Sequence, residues 1–173
     1  MGPNRRGRQT PTRSLTLPYP STLGPEAVAL YEKTGRKAQE WQCIQLQHLL
    51  AVDKDGLFVH TRYGYSVPRR NGKNEIIAAR DLYGLLERGE RILHTAHRTT
   101  TSHAAWERLC SFLDALGYKE VAREKKGHVP KKAYKSFKQY SLESVEIYGQ
   151  PGRVSFRTRS AKGGLRRKQW IRR

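Results

Sequence analysis

"VPRRNGKNEIIAARDLYGLLERG", residues 67–89, sets a Gly-Lys pair at the mouth of an apolar-periodic segment. Ile76, Ala79, Tyr83 and Leu86 recur at helical spacing, and Gly89 stands where a helix ends. The pattern predicts a helix over 73–88. A Gly-Lys pair opening a helix is the arrangement of a phosphate-binding loop. Backbone N–H groups converge on the phosphates, the lysine reaches the β and γ oxygens, and a hydroxyl holds Mg²⁺. Gly72 and Lys73 occupy the second glycine and the lysine of that pattern. Val67 stands in place of the first glycine, where a positive φ is costly. Asn74 replaces the Ser or Thr and offers an amide oxygen instead of a short hydroxyl, so Mg²⁺ is expected to bind through water or less tightly. Read from these residues alone, the stretch is either a phosphate site or a basic loop that starts a helix.

The flanking segments give the loop its setting. Residues 57–67 alternate and are rich in aromatic and β-branched side chains, which predicts a strand bent at Gly64. Residues 92–96 predict a second strand. Residues 101–116 predict a helix with Trp106, Leu109, Cys110, Leu113 and Leu116 inward, stopped by Gly117. Strand, Gly-Lys loop, helix, strand, helix is the order of a βαβ unit, so the expected fold class is α/β, a parallel sheet covered by helices. Upstream, Pro25-Glu26 suits a helix start. Residues 38–52 predict a helix with Trp41, Ile44, His48 and Leu49 near one stripe, and Asp55-Gly56 marks a turn. Downstream, 118–140 is basic and irregular. Residues 145–148 and 153–158 predict two strands around Gly149-Gln150-Pro151-Gly152, as a hairpin or an addition to the sheet. Residues 1–24, rich in Pro, Gly, Ser, Thr and Arg, read as a flexible basic arm.

The chain has 34 Lys and Arg against 15 Asp and Glu, a net charge of +19, which selects polyanionic partners: nucleic acid or nucleotide phosphates. A basic ribosomal or architectural protein has the same balance. Lys125, Lys126, Lys131, Lys132, Lys135 and Lys138, interleaved with Tyr134, Phe137 and Tyr140, form either a contact surface for DNA phosphates or a solubilising loop. Cys43 and Cys110 lie far apart in apolar-periodic segments and read as buried free thiols of a reducing compartment. His94, His97 and His103 have no carboxylate or cysteine at metal-ligand spacing to complete a set. No apolar run is long enough to span a membrane, and the N-terminal arginines are followed by no apolar signal segment, so a cytoplasmic location is expected.

"SVPRRNGKNE" at 66–75, "ILHTAH" at 92–97 and "RTTTSHAAWERL" at 98–109 resemble the ATPase module of the large terminase subunit of tailed double-stranded DNA phages. "EWQ" at 40–42 resembles that family's aromatic-Gln segment on the adenine side. "VSFRTRSAKGG" at 154–164 resembles the strand and glycine turn that precede its second ATPase motif. The resemblance covers residues 25–164 and is most specific at 67–76. It implies a P-loop NTPase-like sheet and a motor that packages viral DNA into proheads using ATP and Mg²⁺. The implied partners are double-stranded DNA, a small terminase subunit and a portal protein, and the implied location is the cytoplasm of a bacterial host carrying a phage or prophage. Lys73 then contacts the β and γ phosphates, Asn71 and Gly72 give backbone donors, and Asn74 lies near Mg²⁺. Arg69 or Arg70 corresponds to the arginine that senses the γ-phosphate and acts in catalysis, and Gln42 lies near the base.

The family's next element is an apolar strand ending in Asp-Glu, where the Asp organises Mg²⁺ and the Glu polarises the attacking water. No Asp-Glu pair occurs in the 173 residues, and Glu146 sits within a strand pattern rather than at the end of an apolar run. Residues 165–173, "LRRKQWIRR", read as a basic tail unrelated to the family. The expectation is therefore a partial ATPase domain, its sheet incomplete at the C-terminus, from a truncated, frameshifted or interrupted gene, and inactive alone. The alternatives are a non-enzymatic basic nucleic-acid-binding protein and the front part of a helicase-like ATPase.

Overall fold

The computed structural model describes residues 7–121, 130–139 and 142–159. The chain divides into two compact units, Met1–Arg80 and Asp81–Arg173.

The first unit is built on two short helices. Thr22 and Pro25 organise its start. Strand β1 (Ser21–Thr22) pairs antiparallel with β2 (Ala51–Val52). The Thr22 hydroxyl donates to the Gln47 carbonyl at 2.6 Å and accepts from the Gly24 N–H at 3.1 Å. Helix α1 (Gly24–Glu32) begins there, with Pro25 in its first turn as expected. A Cβ on Gly24 would lie 2.5 Å from the Gln47 Cα, so only glycine lets α1 start against α2 (Glu40–Leu49). The deeply buried positions around α2 are Gln42, Leu46 and Leu50, four residues apart. The predicted stripe through Trp41, Ile44 and His48 is only half-buried, so the helix is rotated from that reading.

Residues 57–67 correct the sequence reading. Apart from a single bridge between Val52 and Phe58, they form no sheet ladder among the described residues. The alternation is real: Tyr63, Tyr65 and Val67 are half-buried and the residues between them exposed. It records an extended backbone, but the Tyr63 and Tyr65 hydroxyls bond to Gln45 and to the Lys73 carbonyl. Helix α3 (Lys73–Leu86) follows, begins in the first unit and ends in the second.

The second unit holds a five-stranded sheet. Its strands are β3 (Arg91–Ala96), β4 (Lys119–Glu120), β5 (Ala133–Phe137), β6 (Ser144–Ile147) and β7 (Arg153–Thr158), in the order β3-β7-β6-β5-β4. Strands β3 and β7 run parallel over six residues, from Arg91 opposite Arg153 to Ala96 opposite Thr158. The β6–β7 and β5–β6 pairs are antiparallel, and β4–β5 is parallel. The class is α/β, and the sheet is mixed rather than parallel. The hairpin read around residues 149–152 forms and joins the sheet. The stretch 118–140, read as irregular, supplies two strands instead. Tyr134 in β5 is 2 % exposed and donates its hydroxyl to Asp114. Half-buried Lys135 stands opposite Glu146 in the β5–β6 register, with its ammonium over the Tyr148 ring. Helix α4 (Thr99–Ala115) packs against β7 and β3, burying Trp106, Leu109, Phe112 and Leu113. Leu116 and Cys110, expected inward, are half-buried, as is Cys43. Among the described residues no helix is long and apolar enough to cross a membrane.

Candidate phosphate-binding site

Helix α3 starts at Lys73, as its periodicity requires. The turn before it is held in an uncommon backbone conformation. Gly72 has φ +75° and Arg70 has φ +68°, the sole non-glycine residue at positive φ among those described. For Arg70 this costs on the order of 1–2 kcal/mol, and such strain persists where surrounding contacts impose it. Those contacts are visible. The Asn71 side-chain amide donates to the Pro68 carbonyl at 3.2 Å, and the Tyr65 hydroxyl donates to the Lys73 carbonyl at 3.0 Å.

Gln42 is the main brace. It is 5 % exposed. Its Nε2 donates to the Gly72 carbonyl at 3.0 Å, while its Oε1 accepts from the Gln39 N–H at 2.8 Å. One amide thus ties the start of α2 to the turn that opens α3. A Cβ on Gly72 would sit 2.9 Å from that Nε2, a second reason for glycine besides φ. The resemblance implies that Gln42 lies near a base; in this structure its carboxamide bonds to the loop. Replacing Gln42 with Ala removes both bonds at a buried position. Stability is expected to fall by about 1–3 kcal/mol in urea denaturation. A loss below about 0.5 kcal/mol would show that the brace carries no load.

The Gly72 carbonyl accepts from Gln42 and also from the Glu75 N–H at 3.1 Å, so the donors that the start of α3 offers outward are the N–H groups ahead of Glu75, which a helix leaves without internal partners. They carry the positive end of the helix dipole. Arg69, Arg70, Asn71, Gly72, Lys73 and Asn74 are all exposed around them. The turn therefore gathers three cations and a helix N-terminus on one accessible surface, suited to a polyphosphate.

Glu75, the nearest carboxylate in sequence, is engaged elsewhere. It accepts from the Tyr31 hydroxyl at 2.8 Å and pairs with Arg36 at 3.4 Å. Burial and the bond to Glu75 push the Tyr31 phenol up to about 12. Burial, followed by the charge of Tyr63, does the same for Tyr65, to about 12, so both hydroxyls remain donors near neutral pH. With Glu75 committed, the turn offers a metal only neutral side-chain oxygens, those of Asn71 and Asn74. That suits Mg²⁺ arriving with a nucleotide, since this ion keeps waters and phosphates as ligands and needs few protein groups.

The lysines belong to the second unit. Lys131, Lys132 and Lys138 are exposed and Lys135 is half-buried, while Lys125 and Lys126 lie outside the described residues, as does Tyr140. Three ammonium groups sit over aromatic rings: Lys132 over Tyr118 at 5.6 Å, Lys135 over Tyr148 at 4.9 Å and Lys138 over Trp106 at 5.7 Å. Of His94, His97 and His103, two are engaged by acids, and His97 is exposed. His94 Nδ1 lies 2.6 Å from Asp81, and His103 lies between Glu143 at 3.1 Å and Glu107 at 3.3 Å. Tyr65 and Tyr31 escaped the sequence reading. The aromatic alternation before the loop was the signal for Tyr65, and none marked Tyr31. Comparison with protein-family models, with curated proteins and with solved structures finds no match to this chain.

Proposed function

We propose that the turn 69–74 and the first turn of α3 bind the phosphates of ATP, and that the chain is the ATP-binding front portion of a phage terminase large subunit. One observation carries the phosphate site: Lys73 opens a 14-residue helix behind a left-handed Gly72 whose carbonyl is locked by a buried glutamine. On this reading Lys73 is the β,γ-phosphate contact, and Asn71 and Gly72 contribute backbone N–H groups. Arg69 and Arg70 face the outer phosphate, and Asn74 stands beside Mg²⁺, which when bound neutralises phosphate charge. The terminase assignment rests on the resemblance of residues 66–75, 92–97 and 98–109. The P-loop NTPase-like fold belongs with it, since the observed sheet is mixed and 57–67 adds no strand to it.

Removing a charge-assisted contact costs about 1.5–3 kcal/mol, roughly ten- to hundredfold in affinity. Titration with labelled ATP and Mg²⁺ is expected to show that loss for Lys73→Ala. Equal affinities would remove Lys73 from the site. The 173 residues contain no Asp-Glu pair, and Glu75 is held by Tyr31 and Arg36. Hydrolysis needs carboxylates to position water and metal. Phosphate release by the isolated chain is therefore expected at the level of the Lys73→Ala control, with DNA present or absent.

A non-enzymatic nucleic-acid-binding protein is the second reading, favoured by the three ring-seated lysines. It predicts salt-sensitive DNA binding with no affinity for ATP.

A further inference from the structure

The first unit contains a cavity of about 340 Å³ whose walls come from three parts of the chain. Gln9 and Arg13 of the N-terminal arm form one side, Trp41 and Gln45 of α2 another, and Tyr63 and Tyr65 of the segment before the loop the third. Its volume is that of a small ligand site. Three aromatic side chains and two carboxamides, those of Gln9 and Gln45, suit a flat heterocycle, which stacks on rings and hydrogen-bonds at its edge. Tyr65 joins the cavity to the phosphate turn: it lines the cavity, and its hydroxyl holds the Lys73 carbonyl.

The arm wall is lightly tethered. Gln9 Oε1 accepts from the Trp41 N–H at 3.3 Å, in the first turn of α2, where a helix leaves donors without internal partners. Residues 10–15 are exposed, Leu15 at 99 %. Segments with so few buried contacts open readily. A ligand filling the cavity adds contacts on the inner side of the arm, where Gln9 bonds to α2 at 3.3 Å.

We propose that residues 9–16 are a strap that closes over the nucleoside end of a bound nucleoside triphosphate, with Gln9 as its latch on α2. This rests on the phosphate-site reading for the other end of the ligand. The strap then makes the site sense the nucleoside as well as the phosphates, and its closure reports occupancy.

The experiment uses the full chain with Mg²⁺ and two probes, ATP and inorganic tripolyphosphate. It measures binding of each and the rate of tryptic cleavage after Arg8 and Arg13, with fragments identified by mass. ATP is expected to slow both cleavages about tenfold by depleting the open arm, whereas tripolyphosphate binds without protecting. Gln9→Ala is expected to speed cleavage in the free chain and to weaken ATP several-fold, leaving tripolyphosphate affinity unchanged. If ATP binds and the arm is cleaved at its free rate, the strap is refuted and the phosphate site stands. Equal protection by tripolyphosphate refutes the nucleoside role of the cavity. Failure of both probes to bind overturns strap and phosphate site together.

Discussion

Raising salt from 50 to 200 mM is expected to lower the affinity of this chain for duplex DNA by about 10³–10⁵, if it contacts six to ten phosphates. Binding by a protein of net charge +19 releases condensed counterions from DNA, and added salt opposes that release. The described lysines give the effect a location. Lys132 and Lys138 flank strand β5 and Lys135 lies within it, each ammonium within 6 Å of a ring centroid. A ring beneath the ammonium limits its wandering, and Lys132 is held further by donating to the Leu116 carbonyl at 3.1 Å, so less rotamer freedom is lost on binding. Replacing all three with Gln is expected to reduce the slope of log K against log salt by about 2.7, near 0.9 per contact. ATP should alter the binding little, because these lysines are not part of the Gly72-Lys73 turn. Affinity that persists undiminished at 200 mM would contradict an electrostatic interface, and an unchanged slope in the triple variant would move it away from β5.

Phe112→Ala is expected to destabilise the second unit by about 3–5 kcal/mol, the range for emptying a packed aromatic site. Phe112 is 1 % exposed on α4, the helix that packs against β7 and β3. Such a loss is a large fraction of the roughly 5–15 kcal/mol that holds a domain together. Leu93→Ala is the matched control: Leu93 is 55 % exposed on β3, and its removal should change stability by less than about 0.5 kcal/mol. Urea denaturation with circular dichroism separates the two. Equal midpoints would mean that α4 does not cover the sheet through Phe112.

The elements that announced themselves were those with a local cause. Helix α3 carries its own period and ends before Gly89, α1 carries Pro25, and β6 and β7 flank a Gly-Gln-Pro-Gly turn. What stayed hidden depends on distant partners. Residues 57–67 have the alternation of a strand, yet an extended segment becomes a strand only where another backbone accepts its ladder. Here Tyr63 and Tyr65 spend their hydroxyls on Gln45 and on the Lys73 carbonyl. Strand β5 was masked by its lysines, since Lys135 hides its apolar stem behind a charge. The same limit applies to the candidate site. The Gly72-Lys73 turn was legible because glycine, lysine and helix start are adjacent in sequence. The role of Gln42 was not, because its partner Gly72 lies thirty residues away.

The central claim is that the first turn of α3 holds a polyphosphate through its backbone. Amide chemical-shift titration of the 15N-labelled chain with inorganic tripolyphosphate tests it most directly, since that probe carries no base or ribose. The largest shifts are expected at Gly72, Lys73 and Asn74, saturable at a single site and requiring roughly ten- to hundredfold more ligand in Lys73→Ala, with Gly149 and Gly152 of the second unit unmoved. Shifts spread evenly over exposed basic residues, without saturation and unaffected by Lys73→Ala, would contradict a phosphate site at α3.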